Sequence, residues 1–201
     1  MQAACLSTAY LAPVQYYTKL TAFEVIYLET MENYPKQTYR NRCRIASANG
    51  IQTLSVPVEK PATLKAPTRD IRISNHGHWR HIHWNAFVSA YNLSPFFEYY
   101  ADDFRPFYEK KFDFLIDFNE ALRTMICDLL DLHPVVIPAT KYITVAANDF
   151  RQSIDPRHPQ PDAHFTPRPY YQVFRDKYGF LPNLSIIDLL FNMGPEAILF
   201  L

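Results

Sequence analysis

Four histidines lie within eight residues in the segment Asn75-His-Gly-His-Trp-Arg-His-Ile-His-Trp84. On a strand, His76 and His78 would direct both imidazoles to one side, and paired imidazoles can bind a transition metal. A zinc site usually adds a third, distant ligand that the sequence does not identify, so we assign no metal and no cofactor. A general acid or base role is the better interpretation, and His83, at the start of a predicted helix, is the best candidate. The alternative is a histidine that is hydrogen-bonded within the fold.

A second group of residues could bind an anion. Lys36 precedes Arg40-Asn41-Arg42, and guanidinium groups bind phosphate or carboxylate through two parallel hydrogen bonds. Together with Arg44, the two arginines lie on one face of a predicted strand, which is costly unless an anion or acidic side chains meet them. A solvated outer face is the alternative.

A third group is Gln15-Tyr16, just after Pro13. A glutamine at this position can bind a sugar or an amide through its own amide group. The alternative is a residue at a helix N-terminus that faces solvent. Nucleophilic catalysis has little support, because no cysteine or serine lies in a recognisable activated setting and Cys43 is predicted to face inward.

Gln15 and Tyr16 lie in the N-terminal segment, so the elements predicted for that segment must position them. Cys5 to Leu11 is apolar, Val14 to Leu20 has helical spacing, and Phe23 to Leu28 is apolar and β-branched. This order predicts a βαβ-like unit, in which ligands often bind beyond the carboxyl ends of the strands. The residues 12–16 and 29–34 are therefore expected near a pocket.

Asn49-Gly50 predicts a hairpin between two strands, 40–48 and 51–58. A two-residue turn at Asn49-Gly50 would place Ile45 opposite Leu54 and Cys43 opposite Val56. This face is expected to pack on the core. The arginine-bearing face is expected to point away from it.

Helices are predicted over 83–91 and 111–131, followed later by two shorter ones near the C-terminus. Between them, residues 134–169 carry seven prolines, and 149–169 is predicted to be a long loop. Long loops in compact domains are often functional lids.

We predict an α/β fold, a mixed sheet with an N-terminal βαβ-like unit and an Asn-Gly hairpin, covered by helices. The alternative is α+β. We expect one domain over 1–201, with a basic, sheet-rich part (about 1–82) and a helical part (about 83–201).

Composition excludes several classes of site. The four glycines of the 201 residues are too far apart for G-x-G-x-x-G, a P-loop or G-x-S-x-G. Three cysteines without a C-x-x-C pair indicate a reducing compartment. No apolar run is long enough to span a bilayer and no signal core is present, so we predict a cytoplasmic protein without a transmembrane segment.

Charge is uneven along the chain, although 20 Lys and Arg balance 20 Asp and Glu. Residues 36–83 carry a net charge of +7, and residues 97–131 carry −5. The basic segment favours a ligand that bears phosphate or carboxylate, whereas packing of the two segments on each other is the alternative. A nucleic-acid partner is not expected, because no binding motif is present.

Several long motifs resemble the WbqC-like protein family, over nearly the whole chain from about residue 8. They are Tyr10-Leu-Ala-Pro-Val-Gln-Tyr16, Lys36-Gln-Thr-Tyr-Arg-Asn-Arg-Cys-Arg-Ile45, Leu54-Ser-Val-Pro-Val58, Trp79-Arg-His-Ile-His-Trp84, Ala90-Tyr-Asn-Leu-Ser-Pro-Phe-Phe97 and Asn183-Leu-Ser-Ile-Ile-Asp-Leu-Leu-Phe-Asn192. The tail Pro-Asn-Leu-Ser-Ile-Ile-Asp resembles the Bacteroidetes branch most. The resemblance implies a bacterial role in surface-polysaccharide (O-antigen) biosynthesis, with glycine transfer or another sugar modification suggested for some members.

Two functions follow from the resemblance and the residues together. The first is a transferase that adds an aminoacyl or acyl group to an activated (nucleotide-linked) or lipid-linked sugar, with His83 and Lys36 as catalytic residues. The second is a non-catalytic binding module for a phosphate-bearing sugar precursor. In both, the expected substrate-binding residues are Gln15, Tyr16, Arg40, Asn41, Arg42, Trp79, Tyr91 and Asn119. The oligomeric state is not predicted.

Overall fold

The N-terminal segment folds as a βαβ unit in a computed structural model that describes residues 2–61, 63 and 65–201. Its elements are β1 (Ala3–Ser7), α1 (Val14–Ala22) and β2 (Val25–Glu29). The two strands pair in parallel, with Ser7 opposite Glu29 at their carboxyl ends. The predicted βαβ unit is confirmed, because short apolar strands around an amphipathic segment leave few other ways to bury their apolar faces.

The predicted hairpin is present, but its predicted register is wrong. β3 (Arg42–Ser47) and β4 (Gly50–Ser55) pair in antiparallel fashion, with Ser47 opposite Gly50. The two turn residues are therefore 48 and 49, and Cys43 faces Leu54 rather than Val56. Gly50 begins β4 at φ +98°, a conformation that glycine adopts without steric cost. The shift is by two residues, so the expected face stays buried.

The histidine segment is helical and not a strand. Residues His76–His78 form one 3₁₀ turn, with Gly77 at φ +79°, and lead directly into α2 (Trp79–Tyr91). The strand geometry expected for His76 and His78 is thus wrong. α2 begins four residues earlier than predicted, which moves His83 from the first turn into the second.

The remaining elements complete the α/β fold that the sequence predicts. They are α3 (Phe97–Glu109), α4 (Leu115–Leu129), β5 (Val135–Pro138), α5 (Arg175–Tyr178) and α6 (Ile186–Met193). β5 pairs in parallel with β2, which gives the strand order β1-β2-β5, and β3 and β4 form a separate two-stranded sheet. Between β5 and α5 the chain runs mostly without regular structure, as its prolines predict.

The helix α6 is the centre of the core. Its residues 186–192 are all buried, and it packs on α1, α3 and β3. The ring of Phe191 makes edge-to-face contacts with the rings of Tyr91, Phe97 and Phe104 at centroid distances of 5.1–5.3 Å. A short helix that is buried on every side is stable only when neighbouring elements enclose its apolar side chains and bond its polar ones, as Tyr91 does for Asp188. This core holds the parallel sheet and the hairpin in fixed relation to each other.

Candidate functional site

A polar cleft of about 350 Å³ lies beside the carboxyl ends of the parallel strands. Its walls come from the segment after β2 and from the proline-rich loop after β5. The lining residues are Glu32, Pro35, Arg40, Tyr142, Arg151, Gln152, Asp155, Arg157, His158 and Gln160. Clefts at this end of a parallel sheet are the usual ligand sites of α/β folds.

Arg40 joins this cleft to the end of β1. Its Nε and Nη2 donate to the two carboxylate oxygens of Glu32, each at 2.7 Å, and Nη2 also donates to Ser7 Oγ at 2.6 Å. The residue is 6% exposed. A bidentate, charge-assisted pair of this kind is strong and holds the guanidinium in one orientation. Of the three arginines for which an anion or acidic partners were expected, Arg40 is therefore the one that pairs with Glu32.

Two Asp-x-Arg turns shape the loop wall. Asp149 Oδ1 accepts hydrogen bonds from the backbone N and Nε of Arg151, and Oδ2 accepts one from Nη2. Asp155 and Arg157 repeat the same three contacts six residues later, at 2.6–3.1 Å. Burial opposes ionisation of both aspartates, but the hydrogen bonds from their arginines outweigh it and lower the pKa of each.

The outer nitrogens of the same arginines tie the loop to the sheet. Arg151 Nη1 donates to Glu29 Oε2 at 3.2 Å, and Arg157 Nη1 donates to the backbone oxygen of Lys36 at 3.1 Å. Glu29 is fully buried and also accepts backbone hydrogen bonds from Met31 and Ile143. The long loop is thus an ordered wall, because charged groups from both sides satisfy one another.

The charges of the cleft are nearly balanced. Its three guanidinium groups are paired with four carboxylates, of which Glu32 and Asp155 line the cleft, and Gln152, Gln160, His158 and Tyr142 add further donors and acceptors. Paired carboxylates and amides are suited to hydroxyl groups, and guanidinium groups to an anion. The cleft can therefore bind a ligand that carries hydroxyl groups and an anionic group, and the ring of Tyr142 would lie beside that ligand.

Only some of the predicted site residues lie at this cleft. Arg40 lines it, and exposed Lys36 contributes its backbone oxygen to Arg157. Tyr16 lines a small recess that adjoins the cleft behind Arg40 and Arg151. Burial raises the pKa of the Tyr16 phenol, so it is a neutral hydrogen-bonding group.

The two predicted asparagines donate hydrogen bonds to backbone oxygens, and one of them, Asn119, thereby supports Arg40. Asn119, which is fully buried, donates from Nδ2 to the backbone oxygen of Arg40 at 2.8 Å. Asn41 donates from Nδ2 to the backbone oxygen of Val56 at 2.9 Å. Arg42 begins β3 and is partly buried, and its Nε has no hydrogen-bond partner among the residues described.

Gln15 belongs to a different polar cluster. Its Nε2 donates to Asp162 Oδ2 at 2.9 Å, and its Oε1 accepts from Asn183 Nδ2 at 3.0 Å. Asp162 also forms an ion pair of 2.6 Å with Lys19, which is fully buried. The amide of Gln15 is therefore fully engaged in fastening the loop to α1.

His83 lies in the core. The ring is 3% exposed, and its Nδ1 is hydrogen-bonded at 2.8 Å to the hydroxyl of Tyr10, which in turn bonds to the hydroxyl of Tyr108. Burial lowers the pKa of His83 to about 4, against a smaller opposite effect of a hydrogen bond to the backbone of Ser55. The imidazole is consequently neutral at pH 7.

The other predicted aromatic residues are also in the core. Trp79 is 5% exposed, and its Nε1 donates to the backbone oxygen of Ser74 at 3.1 Å. Tyr91 is fully buried and donates from its hydroxyl to Asp188 Oδ1 at 2.9 Å. Neither residue lines the cleft beside the strands.

Sequence reasoning missed Arg151, Arg157 and His158 as site residues. The signal available was the repeat Asp149-Phe-Arg151 and Asp155-Pro-Arg157, within a loop already predicted to be functional. An Asp two residues before an Arg favours a local turn in which the aspartate accepts both backbone and side-chain hydrogen bonds. In the described part of the chain, no group of three or more His, Cys, Asp or Glu side chains is arranged to hold a metal ion.

Comparisons with known proteins agree with the resemblance in the motifs. A model of the WbqC-like protein family matches residues 8–155, which include β2 and β5 of the parallel sheet, the hairpin and the first Asp-x-Arg turn. The uncharacterised protein Rv1507c of Mycobacterium tuberculosis (strain ATCC 25618 / H37Rv) is 29% identical over 212 aligned positions, covering 92% of this chain and 91% of its own. No solved structure matches the chain. Across residues 2–61, 63 and 65–201, no helix is long and apolar enough to cross a membrane. The chain belongs to the WbqC-like protein family.

Proposed function

We propose that the protein binds an activated or lipid-linked sugar in the cleft beside the strands and acts in surface-polysaccharide (O-antigen) biosynthesis. The observation that carries the proposal is the composition of that cleft, where arginines held by carboxylates lie next to amides and a tyrosine. The guanidinium groups suit the phosphate of the precursor, and the carboxylates and amides suit its hydroxyl groups. Membership of the family supports the biological setting.

The reaction proposed is aminoacyl or acyl transfer to the sugar. In it, a hydroxyl or amine of the sugar attacks the carbonyl carbon of an acyl donor and loses its proton to a base, and the donor's leaving group departs with the bonding electrons. We place the base at His158, which is exposed and lines the cleft, because the ring of His83 is enclosed in the core. Arg157 Nη1 contacts the backbone oxygen of Lys36, and the side chains of these two neighbouring residues would bind the phosphate.

The second candidate is a binding module without catalysis. It is favoured by the pairing of each cleft arginine with a carboxylate and by the burial of all three cysteines, Cys5, Cys43 and Cys127. Such a site holds a ligand but contains no activated nucleophile. The two candidates share the ligand and differ in turnover.

Two substitutions separate the candidates. We expect Arg157→Ala to weaken the binding of UDP-N-acetylglucosamine, measured by isothermal titration calorimetry, by about tenfold, because a charge-assisted contact is lost. We expect His158→Ala to keep the affinity within about twofold and to abolish product, measured by mass spectrometry with acyl and aminoacyl donors. Arg175→Ala is the matched control, since Arg175 is exposed on α5 and lines none of the clefts described.

The outcomes are distinct. Loss of binding in Arg157→Ala without turnover in the unsubstituted protein supports the binding module. Undiminished binding in Arg157→Ala contradicts both candidates.

We also propose that the protein is cytoplasmic and that it belongs to the Bacteroidetes branch of the family. The branch rests on the tail Pro182-Asn-Leu-Ser-Ile-Ile-Asp188.

A further inference from the structure

One face of the parallel sheet is open and apolar. Side chains alternate between the two faces of a strand, and the register places Val25 beside Val135 and Tyr27 beside Ile137 on the same face. We call these four residues the outer face. Val25 is partly buried, whereas Tyr27, Val135 and Ile137 are 41%, 54% and 42% exposed. Parallel sheets are ordinarily covered on both faces, and a contiguous exposed apolar surface marks an interaction site.

The outer face and the cleft beside the strands lie on the same side of the sheet. Glu29 follows Tyr27 by two residues, so its carboxylate points to that side, where it accepts a hydrogen bond from Arg151 Nη1. Ser7, which is beside Glu29 on β1, accepts one from Arg40 Nη2. Both arginines line the cleft. Because two residues of a strand span roughly 7 Å, Tyr27 lies only one such step from the carboxylate and hydroxyl that hold these arginines.

Tyr142 connects the cleft to the outer face. It lines the cleft and is 55% exposed, and its ring centroid lies 5.3 Å from Cζ of Arg151. The next residue, Ile143, donates its backbone N–H to Glu29 Oε2 at 2.7 Å. The ring is therefore held at the carboxyl end of β2, on the side to which Glu29 points. A ligand in the cleft can extend from Tyr142 onto the outer face without leaving the protein surface.

The chemistry of the outer face favours a hydrocarbon chain. Val25, Val135 and Ile137 have no hydrogen-bonding side-chain atom, and Tyr27 has only its hydroxyl. A nucleoside placed there would leave the polar atoms of its base and ribose with few partners, whereas a hydrocarbon chain has no polar atoms to satisfy. The cleft supplies the polar and charged groups that a sugar and its phosphate need. An amphiphilic ligand matches both surfaces at once.

The backbone of β5 disfavours strand addition by a second copy of the chain. β5 is at one end of the strand order β1-β2-β5. The backbone N of Ala139 donates to the backbone oxygen of Leu28, so the odd-numbered residues of this segment direct their N–H groups to β2 and the even-numbered ones direct theirs outward. Two of the three even-numbered positions from 134 to 138 are Pro134 and Pro138, which have no N–H to donate.

We propose that the cleft binds the lipid-linked form of its sugar, with the sugar and its phosphate in the cleft and the hydrocarbon chain along the outer face. The inference rests on the function proposed above and narrows its ligand from two forms to one.

The test compares three ligands by isothermal titration calorimetry, below the concentration at which any of them aggregates. All three carry N-acetylglucosamine diphosphate, which is esterified with farnesol, with ethanol or with uridine. We expect the farnesyl ligand to bind about tenfold or more tightly than the ethyl ligand, because each fully buried methylene contributes roughly fourfold. The uridine ligand should bind within about threefold of the ethyl ligand.

A double variant tests the outer face directly. Val135→Thr with Ile137→Thr keeps β-branched side chains on β5 but makes the surface polar. It should reduce the advantage of the farnesyl ligand about fivefold or more and leave the affinity for the ethyl ligand within about twofold. Ile51→Thr is the matched control, because Ile51 is 41% exposed on β4 and does not line the cleft. It should leave both affinities within about twofold, and far-ultraviolet circular dichroism checks that each variant is folded.

The outcomes separate this inference from the proposed function. If the farnesyl and ethyl ligands bind equally, or the uridine ligand binds most tightly, the lipid-linked form is overturned while the proposed function stands. If none of the three binds, the proposed function fails and this inference fails with it. Sedimentation equilibrium completes the test: a dimer of the unliganded parent that the double variant dissociates would show that a second copy occupies the outer face, which also overturns the inference.

Discussion

The buried ion pair between Lys19 and Asp162 is the strongest single attachment of the proline-rich loop to α1. The side chains are 0% and 4% exposed, and Lys19 Nζ lies 2.6 Å from Asp162 Oδ2. Lys19 Nζ also donates to the backbone oxygen of His164 at 3.1 Å, and its charge lies 4.7 Å from the ring centroid of Phe150. Asp162 Oδ1 accepts a hydrogen bond from the backbone N of His164. Both charges are thus fully compensated inside the protein.

We expect Asp162→Ala to destabilise the protein by about 3–5 kcal/mol. The substitution leaves the ammonium of Lys19 buried without a counter-charge, which is the costly way to break a buried pair. For a chain of this length the loss corresponds to a decrease of roughly 6–20 °C in Tm. It is a large part of a total stability of about 5–15 kcal/mol.

The assay is urea unfolding at pH 7 of Asp162→Ala, Lys19→Met and the double variant. Because the double variant removes both charges, its loss should be smaller than the sum of the two single losses by about 2 kcal/mol or more. Asp102→Ala is the control, since that carboxylate is 94% exposed and lies 3.9 Å from Arg105. Its change should stay within about 0.5 kcal/mol. A loss below about 1 kcal/mol in Asp162→Ala, or additive losses, would refute the reasoning.

Three further predictions concern the core. Because the pKa of His83 is lowered to about 4, its folded form binds fewer protons than the unfolded chain, so the free energy of unfolding should fall by about 3 kcal/mol as the pH drops from about 6.5 to 4. Urea unfolding at both pH values should show a shallower fall in His83→Gln, and an identical pH dependence would contradict this. Gly194→Ala should cost about 2 kcal/mol or more, because the new Cβ would lie 2.6 Å from the ring of Phe96 at φ +56°. Gly179→Ala, at φ +68° with open space around it, should cost less by thermal unfolding, and equal losses would rule out the steric cause. Ellman's reagent should leave all three thiols unmodified until the protein unfolds, since all three are buried and burial raises the pKa of each.

Local patterns in the sequence were sufficient to predict the N-terminal βαβ unit and the presence of the hairpin. Both depend on interactions between residues close in the chain: apolar periodicity, a glycine at positive φ and short connections. The register of the hairpin was not predictable from Asn49-Gly50 alone. With Ala48 and Asn49 in the turn, Ser47 Oγ donates to the backbone oxygen of Gly50, a contact that competes with the expected turn.

The place of each site residue was decided by contacts between distant parts of the chain. His83 is enclosed because Tyr10 and Tyr108 reach it from 73 and 25 residues away. Arg151 lines the cleft because its partner Glu29 lies 122 residues earlier in the sequence.

The sequence by itself determined the N-terminal βαβ unit, the presence of the hairpin, the family and the basic character of the hairpin segment. The tertiary structure alone decided which charged groups are paired, as Arg40 is with Glu32, and which donors, such as Arg42 Nε, lack a partner among the residues described. The physical reason is that a charge inside a protein is governed by the partners within a few ångströms of it, and the order of residues along the chain does not specify them.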